Sequence, residues 1–306
     1  MNPKILVFGS INADLVFPVE SLPAKGETVL GANYFFHPGG KGANQAVAAA
    51  KAGANVAFIG CVGKDGYSEE LIASLKKANV DTSQIKRGDT PTGCAAIGVD
   101  SSGENQIIVA SGANLEVLAS QIPDHLMNSS TIVVLQMEVR PSENWSLIRR
   151  AKGLGATIIL NLAPAGQVPI DVLSKIDFLV TNEHEINFLS KELGIQDTNP
   201  IEAAQKVSQL TKNTCILTLG ARGAFAFNKS ETLKIPALEL NPVDTTAAGD
   251  CFVGWLAARL SEGDNLHQSM SWASVAAGKA CLVSGAQTSL PSFDTVNQTF
   301  LELHPQ

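Results

Sequence analysis

Charge is scarce and lopsided in this chain of 306 residues. Charged side chains make up only 17%, and acids outnumber bases 29 to 22, for a net charge of −7. That balance excludes the basic surface that nucleic acid or an anionic membrane selects. No run of like charge offers a basic arm or an acidic tail. Cysteine is also thin: Cys61, Cys94, Cys215, Cys251 and Cys281 are odd in number, widely spread and form no CxxC pair. Reduced thiols fit that pattern; a disulfide framework or a zinc site does not. No stretch approaches the roughly 20 apolar residues that cross a bilayer. The apolar run from Ile5 ends at Gly9 with Asp14 close behind, too short for a secretory leader. The expected location is therefore the cytoplasm, with neither nucleic acid nor membrane as partner.

Several catalytic signatures are missing too. There is no HExxH and no GxSxG elbow. Gly153-Leu154-Gly155 precedes a strand rather than following one and lacks a third glycine, so it is no dinucleotide fingerprint. His37, His125, His184, His267 and His304 show no metal-ligand spacing.

What remains is a chain that is 45% apolar with a clear rhythm. Strand-length apolar runs (Ile5–Gly9, Asn55–Gly60, Thr131–Gln136, Thr157–Asn161, Phe178–Thr181, Cys215–Leu219) alternate with amphipathic helical stretches. The helices are expected at Lys41–Gly53, Tyr67–Ala78, Pro141–Gly153, after Asn182, Ala248–Ser261 and Leu266–Val283. This predicts an α/β fold: a mainly parallel central sheet flanked by helices in a Rossmann-like, three-layer arrangement. Two zones break the rhythm. Residues 15–36 alternate around turn signals, and 92–109 read as a hairpin turning at Asp100–Gly103. Together they are expected to form a small β-sheet lid on a single domain spanning 1–306.

Three motifs carry chemistry. Gly9-Ser10-Ile11-Asn12-Ala13-Asp14 ends the first strand, where open α/β sheets bind ligands. Asn12 and Asp14 suit vicinal hydroxyls, although the same residue types also cap turns. Pro38-Gly39-Gly40-Lys41-Gly42-Ala43-Asn44-Gln45 opens a helix whose N-terminus favours polar or negative groups. It is not a Walker A loop, because Gly42 follows the lysine. Asp244-Thr245-Thr246-Ala247-Ala248-Gly249-Asp250 precedes a long apolar helix. Its small residues would leave amides bare as an anion hole at Ala247, Ala248 and Gly249. Asp250, in the first helical turn, is placed to accept a proton from an attacking hydroxyl. Asp244 and Thr246 offer oxygens to a cation.

Two further segments are open to more than one reading. Thr181-Asn182-Glu183-His184-Glu185 starts a helix after a strand and could position a hydrated Mg²⁺ or merely complement a helix dipole. Thr218-Leu219-Gly220-Ala221-Arg222-Gly223 is a glycine turn between strands, suited to a nucleotide or to nothing beyond the turn.

The GSINAD, GGKGANQA and DTTAAGD segments, in this order and spacing, resemble the ribokinase-like family of carbohydrate kinases, the phosphofructokinase-B type. The resemblance runs from Ile5 to Ser289. It implies ATP-dependent phosphorylation of a small sugar, D-ribose at its 5-hydroxyl foremost, with Asp250 as general base. Deoxyribose, fructose or a nucleoside is the alternative acceptor, and a non-catalytic sugar or nucleotide sensor a more distant one. The resemblance puts Asn12, Ala13, Asp14, Gly40, Lys41, Gly42, Ala43, Asn44, Glu138 and Asp250 at the sugar. It puts Asn182, the turn Thr218–Gly223 (Thr218, Leu219, Gly220, Ala221, Arg222 and Gly223), Gly249, Asp250 and Ser274 at ATP. Asn182 and Glu185 would serve Mg²⁺ through water. A monovalent cation, usually K⁺, would sit among Asp244, Thr246, Ala280, Val283, Gly285 and Ser289. A homodimer joined through the β-lid is the implied assembly.

Overall fold

The computed structural model describes residues 3–196 and 199–303; His304 lies outside them. Its strands are β1 (Ile5–Phe8), β2 (Asn12–Pro18), β3 (Phe35–Gly39), β4 (Val56–Val62), β5 (Asp81–Arg87), β6 (Gly93–Val99), β7 (Asn105–Ala110), β8 (Ile132–Leu135), β9 (Thr157–Asn161), β10 (Phe178–Thr181), β11 (Thr214–Thr218), β12 (Ala224–Phe227) and β13 (Thr232–Ile235). Its helices are α1 (Lys41–Lys51), α2 (Gly66–Lys77), α3 (Pro141–Gly153), α4 (Ile170–Leu173), α5 (Glu183–Glu192), α6 (Pro200–Thr211), α7 (Ala248–Ser261), α8 (Leu266–Ala280) and α9 (Phe293–Leu303).

Nine strands form the central sheet in the order β13-β12-β11-β10-β9-β8-β1-β4-β5. The strands from β11 to β5 pair in parallel, and only the edge pairs β11–β12 and β12–β13 are antiparallel, so β12 alone runs against the rest. Both faces are buried, which explains the continuous apolar runs. In β1, Ile5 and Val7 pack into the core under α1, α7 and α8, while Leu6 and Phe8 enter the core on the opposite face. The period of two along a strand makes that division.

From β1 the chain moves to β4 and β5 on one side, then returns to β8 on the other. The neighbours β1 and β8 therefore form a topological switch point. The crevice beyond their carboxyl ends is where such sheets take ligands.

A second sheet has the order β3-β2-β6-β7. Its strand β2 begins at Asn12, three residues before the expected zone, and residues 19–34 hold no strand or helix. Asn12, Ala13 and Asp14 thus lie on a strand paired to β6 and β3 and do not cap a turn. Several elements lie outside the expected ones: β5, which is mostly polar, β13, α4, α6 and α9. The second long helix of the C-terminal pair stops at Ala280, and Cys281–Gly285 is not helical.

Candidate active site

Two helix N-termini meet at the switch point. Helix α1 begins at Lys41, and α7 begins at Ala248 beside it. Gly254, one turn beyond Asp250, lets them pack this closely: a Cβ there would stand 2.6 Å from the Gln45 carbonyl and 2.5 Å from the Ala48 Cβ. The approach brings consecutive α1 residues onto Asp250. Asn44 Nδ2 donates to Asp250 Oδ2 at 3.0 Å, and Gln45 Nε2 donates to Asp250 Oδ1 at 2.9 Å. Asn44 Oδ1 is buried with no hydrogen-bond partner among the described residues, a spare acceptor beside the carboxylate.

Across the switch, Ser10 Oγ donates to Glu138 Oε2 at 2.5 Å, and the Lys41 amide donates to the same oxygen at 3.1 Å. Glu138 follows β8 and so ties the β1 corner to the start of α1. Asn12 is fixed from outside the motifs: Asn114 Nδ2 donates to Asn12 Oδ1 at 2.7 Å, and Asn114 Oδ1 accepts from the Ile11 amide at 3.0 Å. Nothing in the local sequence around Asn114 announces that role.

Four carboxyls, Asp14, Glu138, Glu185 and Asp250, act electrostatically on the Lys41 ammonium. Burial, then the neighbouring Glu138 and Asp250, push the Asp14 carboxyl up to about 7, with Lys41 pulling the other way. Burial raises Asp250 as well, against Lys41, Asn44 and Gln45, which favour its ionised form. Burial works against the Lys41 charge, yet Asp250, Glu138, Glu185 and Asp14 together lift it above the usual lysine range.

Lys41, Asn182, Glu185, Ala247, Gly249 and Asp250 line one crevice of about 220 Å³, together with Asn161, Thr181, Thr218 and Thr245. A second cleft of about 250 Å³ adjoins it and shares Thr218, Thr245 and Gly249. Gly220, Ala221, Gly223 and Ser274 line the second cleft together, with apolar walls from Leu238, Leu240, Pro242, Phe252 and Ala277. Those walls come largely from the unpatterned stretch 236–243 between β13 and α7. Sequence periodicity has no purchase on an irregular segment.

Of the amides expected to be bare at the start of α7, that of Ala248 is already engaged. Ala247 holds a left-handed backbone, with φ +59°. The Ala248 amide reaches the Thr245 carbonyl at 3.2 Å, whereas first-turn amides such as Gly249 and Asp250 have no intrahelical acceptor.

Some expected residues play other parts. Ala13 and Ala43 are fully buried in the core and present no side chain to a ligand. Gly40 and Gly42 make room for the chain itself: a Cβ on Gly40 would meet the Ile11 backbone at 2.7 Å, and one on Gly42 the Ser10 amide nitrogen at 2.7 Å. The Leu219 side chain belongs to the core. Arg222 pairs with Glu183 at 2.5 Å. The aromatic residues near the lid pack on one another, Phe36 with Tyr67 at 5.4 Å and Phe17 with Tyr34 at 5.8 Å.

The two expected cation regions differ in readiness. Asn182 and Glu185 form a reciprocal cap: Asn182 Oδ1 accepts from the Glu185 amide at 2.9 Å, and Glu185 Oε2 accepts from the Asn182 amide at 2.8 Å. Burial raises the Glu185 carboxyl, with the Asn182 amide bond opposing. Direct ligation would break this cap, but a hydrated ion could use the remaining lone pairs. Asp244 joins the chain before α7 to the loop after α8. Its Oδ2 accepts from the Gly285 amide at 2.8 Å and its Oδ1 from the Thr246 amide at 2.8 Å. Burial opposes the charge on Asp244, yet those bonds hold its carboxyl below the usual range. The Ala280 carbonyl accepts from the Val283 amide at 3.3 Å, and the buried Ser289 hydroxyl donates to the Ala286 carbonyl at 2.8 Å. One carboxylate among carbonyls and hydroxyls suits a weakly hydrated monovalent ion. Among the described residues, no cluster of three or more histidine, cysteine, aspartate or glutamate side chains forms a metal site.

The model of the family described as pfkB family carbohydrate kinase matches residues 2–292. A ribokinase of Staphylococcus aureus is 37% identical, covering 97% of this chain and all of the relative. Among solved structures, a ribokinase from Thermotoga maritima superposes with a TM-score of 0.91 at 35% identity, covering 98% of this chain and 99% of that one. An Arabidopsis thaliana ribokinase complexed with ribose and ATP gives 0.88 at 29% identity, covering 98% and 99%.

Proposed function

The chain belongs to the pfkB family of carbohydrate kinases, and from that premise we propose that it transfers the γ-phosphoryl group of ATP to the 5-hydroxyl of D-ribose. The products are ADP and D-ribose 5-phosphate. One observation carries the reading: the buried Asp250 carboxylate lines a polar crevice that opens, past the N-terminus of α7, into an apolar cleft. The polar crevice takes the sugar and the phosphates, and the apolar cleft takes the adenine.

Asp14, Asn12 and Asn44 supply acceptors and donors for the ribose hydroxyls, with Glu138 and the Lys41 ammonium beside them. Asp250 accepts the proton of the 5-hydroxyl as its oxygen forms the new bond to phosphorus and the bond to the ADP oxygen breaks. The amides of Gly249 and Asp250 face the transferring group and stabilise its charge. Asn182 and Glu185 would hold Mg²⁺ through water, which neutralises phosphate charge. Asp244, Thr246, Ala280, Val283, Gly285 and Ser289 would hold K⁺, steadying the loop before α7. The four-stranded sheet acts as a lid on one kinase domain. Its exposed Phe35, Ile107, Ile108 and Val109 suit a second copy of the chain, making a homodimer. The acidic charge and free cysteines fit a cytoplasmic enzyme.

The test is ADP release across ribose, 2-deoxyribose, fructose and nucleosides, with K⁺ present or replaced by a large organic cation. Ribose should give the highest kcat/KM, and activity should drop without K⁺. Asp250→Asn should lose turnover by about a thousandfold while ribose binding survives. Normal turnover in that variant would remove Asp250 as the base.

A further inference from the structure

We propose that Gln45 is a positioning residue for the general base, held in place by Gln136, the residue that follows the switch-point strand β8. The inference rests on the assignment of Asp250 as base. Gln45 and Gln136 are both fully buried. Gln45 is the residue after Asn44 on α1, but where Asn44 keeps a spare oxygen beside the crevice, both ends of the Gln45 amide are engaged. Its Nε2 donates to Asp250 Oδ1 at 2.9 Å and its Oε1 accepts from Gln136 Nε2 at 2.7 Å. The Gln136 backbone carbonyl accepts in turn from Asn144 Nδ2 of α3 at 2.7 Å. A chain of amides therefore crosses the sheet from α3 to the carboxylate.

The direction of that chain is forced. Were the Gln45 amide reversed, two oxygens would face each other at Asp250 and two nitrogens at Gln136. Gln136 Oε1 has no partner among the described residues, although it is buried. A buried carbonyl left bare is unfavourable, and turning the amide would leave Gln45 without its donor. Gly9, the first residue of the GSINAD motif, makes the space: a Cβ there would lie 1.8 Å from Gln136 Oε1.

Chemically, the Gln45 N–H fixes the carboxylate plane and favours its ionised form. Lys41 and Asn44 of α1 act in the same direction. Glu138 after β8, Asp14 of β2 and Glu185 of α5 oppose it, and Cys251 is the adjoining titratable group. Gln45 does not itself line the crevice and acts through Asp250, which does.

The experiment compares Gln45→Glu and Gln45→Met, which keep the length of the side chain, with Gln136→Met and Gly9→Ala. Each is followed by the pH dependence of kcat and by KM for ribose and ATP. Loss of the donor should lower kcat at neutral pH by about tenfold and move the acidic limb of the kcat profile upward by about one unit, with KM for ribose within about threefold. Gln136→Met and Gly9→Ala should move the limb the same way by less. A merely structural role would lower Tm and leave the limb in place. If every folded variant of this set keeps the wild-type limb and kcat, the positioning role is wrong. Asp250→Asn separates the two levels: an inactive Asp250→Asn with unmoved limbs in the other variants rejects the relay alone, whereas an active one rejects the base and the relay together.

Discussion

The two halves of the candidate site are built from opposite materials. The proposed sugar side gathers Asp14, Glu138, Asp250 and Lys41 with buried amides, and named hydrogen bonds hold Glu138, Asp250 and Asn12. The proposed nucleotide side is walled by alanine, glycine, leucine, proline and phenylalanine, with Ser274 already bonded to the Pro236 carbonyl at 2.7 Å. The difference teaches where selectivity resides. A site of buried polar groups rejects a ligand that leaves them unpaired, whereas an apolar slot discriminates weakly by shape. The half built of buried polar groups is also the half under electrostatic strain, because four carboxyls act on one ammonium.

The sharpest break of this contrast uses substrates rather than variants. Removing one ribose hydroxyl should lower kcat/KM by about a hundredfold, while replacing adenine with another purine in the nucleotide should lower it by about tenfold. Equal penalties on both sides would abolish the distinction. Next comes the strain. The Asp14 carboxyl loses its proton near 3.8 when unfolded and near 7 when folded. Between those values the native state holds more protons, so stability falls as pH rises through the window. Asp14→Asn should match the wild type near pH 4 and exceed it by about 2 kcal/mol above pH 7.5 in denaturant unfolding. A constant difference at all pH values would show that Asp14 is not strained. Filling the apolar slot is a milder blow: Ala277→Leu should raise KM for ATP about fivefold and leave KM for ribose unchanged. The smallest effect lies where the halves meet. Ala247 carries a left-handed backbone that glycine adopts freely, so Ala247→Gly should add about 1 kcal/mol of stability, read as a shift in Tm. A loss of stability would mean that the Ala247 methyl packs usefully.

The two halves were also unequally legible in the sequence. The sugar side rests on short motifs whose glycines, asparagines and acids stand out against an apolar chain, and Asp250 fell at the first turn of α7 as its surroundings implied. Asn114, Gln45 and Gln136 were invisible in that role, because a single amide has no period and its partner lies up to 205 residues away. The nucleotide wall was hidden for another reason: stretch 236–243 has no regular structure for a pattern to betray. The polar edge strand β5 lacked the apolar run by which the central strands announced themselves.

The sequence alone determined the layered architecture, because strands buried on both faces must be continuously apolar and helices on one face must be periodic. It also determined the helix starts at Lys41 and Ala248, where glycine and alanine cannot do what larger side chains do elsewhere. Tertiary structure alone decided which of the motif residues line the crevices and which pack against the chain. Ala13, Ala43, Gly42 and Leu219 went to packing, and Gln45 went to Asp250. Local patterns specify conformation, but hydrogen-bond partners are chosen by the crossing of α1 over α7 and by the strand order around β1. Both are set by contacts far apart in the chain.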